Sequence, residues 1–176
     1  MRQDTGRARF WRFVYLFGSG TEEQALAATI TRDFTATTFV VREHRTLLLW
    51  HNKVGAWLPP GGHLHPDELP EAAACREVLE ETGLEVELLG QQEVWGKVRV
   101  LRTPACILLE DIDPGHQHVD LIYFGWAKGG EPRIDSRESA GMRWYSSSEL
   151  DSPEIATDIR ILGRQAIAAV AAHSRG

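Results

Sequence analysis

The pattern of apolar and polar positions along the chain predicts strands mixed with helices. Two apolar stretches, residues 34–41 and 46–51, are typical of strands joined by a tight turn at residues 43–45. Further stretches with strand character lie near residues 85–89, 93–101, 104–110, 119–127 and 142–145. Because strands and helices are mixed without a strict βαβ repeat, we expect an α+β fold, a mixed β-sheet held between helices.

The last part of the chain, from Pro153 to about Ala172, predicts a long helix. Its apolar residues recur at helical spacing and are Ile155, Ile159, Leu162, Ile167 and Val170. Two other segments are predicted to be loops. They are WLPPGG at residues 57–62, where prolines and glycines should form a rigid turn, and DIDPGHQH at residues 111–118.

Residues 1–30 are predicted to form an N-terminal helical extension to a domain of residues 31–176. Phe10, Phe13 and Phe17 recur at helical spacing, and we expect them to pack on the domain or on a second copy in a homodimer. A membrane-surface helix is disfavoured because the segment is short and has few cations. The segment also lacks a small-residue cleavage pattern, so no signal peptide is predicted.

A helix between Pro70 and Gly83 is predicted from the residues at its two ends. Proline suits a first helical turn, and glycine suits the left-handed position that ends a helix. Leu69 would then precede the helix as a poor cap, because it has no side-chain acceptor.

This helix carries a cluster of glutamates. At the helical repeat, Glu77, Glu80 and Glu81 lie within an arc of about 100°. The residues expected to enter the core from the opposite face are Ala72, Cys75, Val78 and Leu79. Arg76 precedes Glu80 by one helical turn and could brace that carboxylate.

Two interpretations of the glutamate cluster stay open at this point. Charged residues that are close together in a helix usually form a solvent-exposed face. The preceding PPGG, residues 59–62, favours the other interpretation, because glycines allow backbone groups to approach a ligand. Clustered carboxylates and a carbonyl oxygen are the hard ligands that Mg²⁺ or Mn²⁺ prefers.

The composition of the chain excludes several classes of protein. The formal charge of −6 and the pI near 5.6 argue against a general nucleic-acid binder. Cys75 and Cys106 do not make a disulfide framework, which favours a reducing cytoplasm. No apolar run approaches the roughly 20 residues that span a bilayer, so we expect no membrane partner.

The residues of the glutamate helix resemble a known motif. Gly62, five residues, Glu68, seven residues and then REVLEETGL at 76–84 resemble the Nudix box, G-x5-E-x7-R-E-U-x-E-E-x-G-U, where U is aliphatic. Every fixed position of the box matches. With its flanking strands, the resemblance extends over residues 34–172 and implies a Nudix-type α/β/α sandwich.

The resemblance also implies a function. Nudix enzymes hydrolyse a diphosphate bond linked to another moiety, often a nucleoside, with a divalent cation, Mg²⁺ or Mn²⁺, and a water nucleophile. The implied metal ligands are Glu77, Glu80, Glu81 and the Gly62 carbonyl, and one glutamate would deprotonate the water. Arg76 would hold the glutamates in place, and Glu68 would be a structural contact.

Residues that would bind the rest of the substrate are less clear from the sequence. The cations that could hold an outer phosphate are Arg42, Lys53, Lys97 and Arg99, each of which could equally serve solubility. Trp57 could stack on a base or belong to the core. No secondary signature identifies a subfamily, so the expected partner is a small nucleotide or another diphosphate.

A base or ligand outside the box is expected from the resemblance, and two places could supply it. Strand alternation puts His118 and Asp120 on one face, and we hypothesise that this face looks toward the glutamate helix. The plain alternative is that Asp120 caps a turn or pairs with an arginine. Glu138, on the loop before the last strand, is the competing candidate.

Two other functions remain as alternatives. Isopentenyl-diphosphate isomerases share the fold, but neither Cys75 nor Cys106 is placed as their catalytic cysteine requires. A non-catalytic Nudix domain would bind or regulate, but such domains usually lose glutamates of the box, and all are present here.

Overall fold

The structure is a computed structural model that describes residues 30–174. The strands are β1 (Thr31–Arg42), β2 (Arg45–His51), β3 (Ala56–Leu58), β4 (Gly61–His63), β5 (Glu85–Leu88), β6 (Glu93–Trp95), β7 (Val98–Val100), β8 (Cys106–Asp113), β9 (His116–Gly129) and β10 (Ser139–Ser146). The helices are α1 (Pro70–Thr82) and α2 (Thr157–His173), with a short 3-10 helix at Glu149–Asp151. The predicted N-terminal extension lies outside the described residues, so the division at residue 30 stays a prediction. Among the residues described, no helix is long and apolar enough to cross a membrane.

The predicted mixed sheet is confirmed. Strands pair in the order β10-β2-β1-β9-β5, while β3, β4 and β8 add to β2, β1 and β9. The long pair β1 and β9 is parallel, with Thr31 opposite His116 and Val41 opposite Trp126, and the other pairs are antiparallel. A separate hairpin of β6 and β7 stands apart from the main sheet.

The two faces of the sheet are covered by different helices. On β1, Phe39 and Val41 belong to the core under α2, whereas Ala36 packs with residues of α1. Alternation along β9 follows the same division, because Ile122 lies in the α2 core and Tyr123 lies in the α1 core. The expected apolar residues of the C-terminal segment are all buried, although Ile155 precedes the helix itself.

The ends of α1 are as predicted. Pro70 occupies its first turn, and Leu69 before it makes no side-chain capping bond. Gly83 adopts φ of 69°, and its N–H donates to the Leu79 carbonyl. A side chain would be strained there, so glycine fixes where the helix stops.

The predicted core face of α1 is wrong in part. Ala72 is exposed and Leu79 is 46% exposed, while Val78 is buried and Cys75 is half-buried. The buried positions of the helix are Glu71, Ala73, Ala74, Val78 and Thr82. Glu71 tolerates burial because the Gln92 side chain and the Arg102 N–H donate to its carboxylate. The helix is therefore rotated about its own axis relative to the prediction, and its buried side includes residues that are adjacent to the glutamates.

Both predicted loops are shorter than expected. In residues 57–62 only the prolines lie outside strands, because Gly61 and Gly62 pair with β1 and the Pro60 carbonyl accepts from the Thr38 N–H at 2.9 Å. In residues 111–118 the strands β8 and β9 continue up to a turn at Pro114 and Gly115, where Gly115 has φ of 82°. Cross-strand pairing, which local composition does not reveal, accounts for both differences.

The predicted strand at residues 93–101 is a hairpin instead. Gly96 has φ of 63° and turns the chain between β6 and β7. The turn after β1 is at Glu43 and His44, with φ of 50° and 60°, so Arg45 already belongs to β2.

Candidate active site

The backbone of Gly62 lies directly against the Glu77 side chain. A Cβ on Gly62 would lie 2.5 Å from Glu77 Oε1, which is closer than real contacts allow. Gly62 is opposite Ala36 of β1, so the close approach is on the sheet face that α1 covers. Glycine at position 62 therefore leaves room for the Glu77 carboxylate to lie directly against the β4 backbone.

Arg76 holds three carboxylates at once. Its guanidinium donates from Nε and Nη2 to the two oxygens of Glu68, at 2.8 Å each. Its Nη1 donates to Glu77 at 2.7 Å and to Glu80 at 3.1 Å. Its Nη2 also donates to the His63 carbonyl at 3.1 Å. This network ties the helix to the segment after β4, and the bond from Arg76 lowers the pKa of Glu68.

The glutamates differ in exposure and charge. The Glu77 side chain is 13% exposed, whereas that of Glu80 is 58% exposed. Burial, the charge of Glu77 and then the charge of Glu138 raise the pKa of Glu81 to about 8, against the opposing effect of the Gly61 N–H. A carboxylate whose pKa is raised by a neighbouring carboxylate is expected to share a cation or a proton with it.

The donor set fits a hard divalent cation. Glu77 and Glu81 offer carboxylate oxygens in a partly buried place, and the glycine backbone of β4 comes close enough to add a carbonyl. The Arg76 guanidinium contributes one positive charge against the three glutamates that it contacts. The arrangement therefore has surplus negative charge, and Mg²⁺ favours oxygen ligands of this kind.

The hypothesis that His118 and Asp120 face the glutamate helix is wrong. Asp120 lies opposite Thr35 in the parallel pair of β1 and β9, on the same face as Ile122 and the α2 core. The pairing register fixes this, because side chains alternate strictly along both strands. Helix α1 packs on the other face of the sheet.

Asp120 is nevertheless an unusual residue in its own right. It is 5% exposed, and its Oδ1 has no hydrogen-bond partner among the residues that the structure describes. Burial raises its pKa, although the nearby hydroxyls of Thr37 and Thr35 act in the opposite direction. Burial, His63 and His116 lower the pKa of His118.

Glu138, the competing candidate, is close to the glutamate helix. The loop before β10 runs along the end of α1, where the Arg133 N–H donates to the Thr82 carbonyl at 2.8 Å and the Asp135 N–H donates to the Glu81 carbonyl at 3.2 Å. Glu138 and Asp135 both help to raise the pKa of Glu81. The loop therefore adds negative charge beside the box.

The predicted phosphate-binding cations are not drawn together. Arg42 lies over the Trp144 ring, with its Cζ 5.4 Å from the ring centroid, at the far end of β1. Lys53 lies in the β2–β3 turn, and Lys97 and Arg99 belong to the separate β6–β7 hairpin. Within residues 30–174, none of them forms an ion pair with the box glutamates.

Sequence reasoning missed Arg137, a cation near the box. Its guanidinium donates to Asp135, which raises the pKa of Arg137 most, and the charges of Glu138 and Glu80 act in the same direction. No local pattern indicates it, because the loop is brought to α1 only by folding. Trp57, in contrast, makes edge contacts with Trp50 and Tyr145, with centroids 5.5 and 5.6 Å apart, and packs against the α2 core.

Comparison with known proteins gives a consistent result. The family description "NUDIX domain" matches residues 31–165. A crystal structure described as a hydrolase of the NUDIX family from Clostridium perfringens is 31% identical, with a TM-score of 0.73, and the alignment covers 80% of this chain and 99% of that one.

Curated relatives match over shorter lengths and have more than one named activity. A Bacillus subtilis protein named "Putative 8-oxo-dGTP diphosphatase" is 33% identical over 63% of this chain and 64% of its own length. An RNA pyrophosphohydrolase of Marinomonas is 39% identical over 35% of this chain and 41% of its own. An isopentenyl-diphosphate Delta-isomerase of Streptomyces coelicolor is 31% identical over 64% and 56%, respectively. The chain thus spans less than two thirds of the length of these relatives.

Proposed function

Because the chain belongs to the Nudix family, we propose that it is a metal-dependent pyrophosphohydrolase. It cleaves a diphosphate bond in a nucleoside diphosphate linked to another moiety, or in a related organic pyrophosphate, by attack of water at phosphorus. The observation that carries the proposal is the contact of partly buried Glu77 with the Gly62 backbone, beside the raised pKa of Glu81. A solvated acidic patch would not require Glu77 to be partly buried or to lie against the Gly62 backbone.

The residues proposed to hold Mg²⁺ or Mn²⁺ are Glu77, Glu80, Glu81 and the carbonyl of Gly62. When bound, such a cation polarises phosphoryl oxygens and lowers the pKa of a coordinated water. Without a cation, the acidic helix and an anionic diphosphate would repel each other. A cation at the proposed site would therefore allow the acidic helix to bind an anionic diphosphate.

Arg76 acts as a positioning residue. Its fork holds Glu77 and Glu80 in one orientation while its other side is fixed by Glu68. A planar guanidinium with several donors can do this, whereas a lysine ammonium has no comparable fork. The orientation of the carboxylates is then set before any substrate arrives, which reduces the cost of reorganisation.

Glu138 is the proposed carboxylate from outside the box. It lies close enough to Glu81 to raise the pKa of that residue, and it has no bond to Arg76 within the described residues. A carboxylate that is not engaged by the arginine can accept the proton of the attacking water. The nearby Arg137 guanidinium could hold an outer phosphate of the substrate.

The names of the relatives indicate which substrates to test. One is named as a diphosphatase of an oxidised nucleotide, and others are named as pyrophosphohydrolases of RNA. The net charge of −6 disfavours a long polyanion, so we propose a small nucleotide in the cytoplasm as the substrate. Triphosphorylated RNA then serves as a separate arm of the assay.

The isomerase alternative is less well supported, despite the relative of that name. Burial raises the pKa of both Cys75 and Cys106, which disfavours the reactive thiolate. Cys75 packs against the α1 core, and Cys106 packs against the α2 core. A non-catalytic module would not need the glutamates to be held by Arg76.

The experiment is hydrolysis of a panel of nucleoside triphosphates, oxidised nucleotides and nucleoside-diphosphate conjugates in ¹⁸O water with Mg²⁺ or Mn²⁺. Attack at phosphorus leaves the label in a phosphate-bearing product. Label found only in the organic alcohol would exclude the mechanism. Glu77→Gln is the control for a contaminating phosphatase, because its loss of activity links the hydrolysis to this chain.

A further inference from the structure

Three histidines and an aspartate converge on the sheet face opposite α1. They come from three strands, with Asp33 on β1, His63 on β4, and His116 and His118 on β9. Asp33 lies opposite His118 in the parallel pair, and His63 lies opposite Thr35 in the next pair. Side-chain alternation puts them all on the face that carries Asp120, away from the box glutamates.

The distances within this histidine cluster are short. One ligand atom from each of Asp33, His116 and His118 lies within 4.8 Å of the others. The Asp33 Oδ2 is 3.6 Å from Nε2 of both His63 and His116. The His118 ring centroid is 4.7 Å from that of His63 and 5.2 Å from that of His116.

The orientation of His116 is set by a hydroxyl behind it. The Thr31 Oγ1 lies 2.9 Å from His116 Nδ1 and 3.3 Å from the Gly115 carbonyl, to which it donates its proton. The hydroxyl oxygen then accepts from Nδ1–H, so the lone pair of a neutral His116 is on Nε2 and points at Asp33. A lone pair and a carboxylate 3.6 Å apart favour a cation between them.

We propose that Asp33, His116 and His118 form a binding site for a divalent transition metal such as Zn²⁺, with His63 as the fourth ligand. Imidazole nitrogens with one carboxylate suit zinc and its neighbours, whereas Mg²⁺ prefers oxygen ligands alone. Zn–N bonds of about 2.1 Å place tetrahedral ligand atoms about 3.4 Å apart. The Asp33 Oδ2 is already 3.6 Å from Nε2 of His63 and of His116, whereas the ligand atoms of Asp33, His116 and His118 are gathered only within 4.8 Å, so binding requires side-chain rotations that draw them inward.

The competing explanation is a proton-based network, in which protonated histidines pair with Asp33. It would require neighbouring rings to carry positive charge with centroids only 4.7 and 5.2 Å apart, where like charges repel. Neutral rings avoid this repulsion, and the neutral imidazole is the form that binds metals. The side chain of Asp33 is 53% exposed, so an ion can reach the site from solvent.

Occupancy would join β1, β4 and β9 at one point. His63 directly follows Gly62, so a metal on its ring would restrain the end of β4 next to the proposed active site. The proposal is independent of the hydrolase function, because the two sites use different donors on opposite faces of the sheet. A failure of one leaves the other standing.

The test uses Co²⁺ as a spectroscopic probe of the full chain, with excess Mg²⁺ to occupy oxygen sites. Wild type should take up one Co²⁺ per chain with the visible absorption of nitrogen coordination, and Zn²⁺ should displace it. His116→Ala and His118→Ala should each lower Co²⁺ affinity at least ~10-fold. Glu77→Gln should retain the spectrum, as should His44→Asn, an exposed histidine on the β1–β2 turn.

A second variant separates ligation from folding. Thr31→Val keeps the shape of an exposed strand residue but removes the hydroxyl behind His116, and it should weaken Co²⁺ binding about 10-fold. Circular dichroism of each variant without metal checks that the fold is intact. Absence of nitrogen coordination in wild type, or equal Co²⁺ affinity in folded His116→Ala and His118→Ala, would overturn the proposal.

Discussion

Gly62 and Glu77 are packed so closely that a methyl group on the glycine would lie 2.5 Å from the glutamate Oε1 and 2.7 Å from its Cδ. The glycine belongs to strand β4, and the glutamate belongs to helix α1. Their contact joins the first residue of the Nudix box to the helix that carries its glutamates, which are separated along the sequence. It also makes position 62 sensitive to the smallest change in side-chain size.

Replacing Gly62 by alanine should displace the Glu77 carboxylate. The φ of Gly62 is not in the left-handed region, so alanine is sterically allowed by the backbone itself. A displacement of about 1 Å can cost on the order of 100-fold in rate, which is the loss expected in kcat/KM. Gly129→Ala is the matched control, because its nearest atom would be Glu85 Oε2 at 3.9 Å. Equal activity in both variants would contradict the role of this contact.

Arg76→Lys should destabilise the protein and slow the reaction. Lysine keeps the charge but cannot bind Glu68 with two parallel bonds while also reaching Glu77 and Glu80. The partly buried contacts predict a loss of about 1–2 kcal/mol in the free energy of unfolding, measured with urea. Arg137→Lys, at a side chain that is 86% exposed, should show no measurable change in stability. If Arg76→Lys is neutral in both assays, the network does not position the glutamates.

Glu80→Gln and Glu81→Gln should each reduce hydrolysis by on the order of 100-fold or more while the protein stays folded. Thermal unfolding with and without Mg²⁺ provides a second readout. At a Mg²⁺ concentration about 100 times Kd, binding stabilises wild type by about 2.7 kcal/mol, and the variants should gain less. A wild type that gains nothing from metal, together with active glutamine variants, would place the site elsewhere.

The stability of the metal-free protein should fall as pH rises from about 4.5 to about 8. The pKa of Glu81 is raised from 4.5 to about 8 in the folded chain, first by burial and then by the charge of Glu77. The folded state therefore binds more protons than the unfolded state in this window, and raising the pH removes that advantage. The free energy of unfolding, measured with urea in the presence of a chelator, should decrease less steeply with pH for Glu81→Gln than for wild type.

The control for this pH dependence is Glu149→Gln. Hydrogen bonds from the Ser146 N–H and hydroxyl lower the pKa of Glu149 to about 2, so its contribution changes below the window and has the opposite sign. The slope between about 4.5 and about 8 should persist in that variant. Identical slopes for wild type and Glu81→Gln would show that Glu81 is ionised in the metal-free protein.

Glu138→Gln and Asp120→Asn should have different effects. Loss of a general base costs about 10²–10⁴-fold, and we expect a fall in kcat of this kind for Glu138→Gln. Asp120→Asn should leave kcat within a few-fold, because Asp120 lies on the α2 face of the sheet. His118→Gln should likewise leave the pH–rate profile unchanged. A large loss of kcat in Asp120→Asn, together with little change in Glu138→Gln, would indicate that the base lies on the face of β9 that carries Asp120.

Much of the fold follows from short-range information. Pro70 and Gly83 fix the ends of α1, because one lacks a needed N–H and the other adopts a left-handed conformation. The alternation along β9 correctly put His118 and Asp120 on one face, which is the face of Ile122 and the α2 core, since strand geometry requires it. The spacing from Gly62 to Arg76 likewise indicated the family. Each of these depends on chemistry within a few residues along the chain.

What the sequence determined by itself is therefore which residues form each element and which motif they carry. Tertiary packing alone decided that α1 turns Ala72 and Leu79 toward solvent, and that Asp120 faces α2 rather than the glutamate helix. It also decided that Glu138 lies near Glu81 and that Asp33 meets His116. The physical reason is that contacts between distant segments set the rotation of a helix and the register of a strand. The local propensity of a residue does not depend on those contacts.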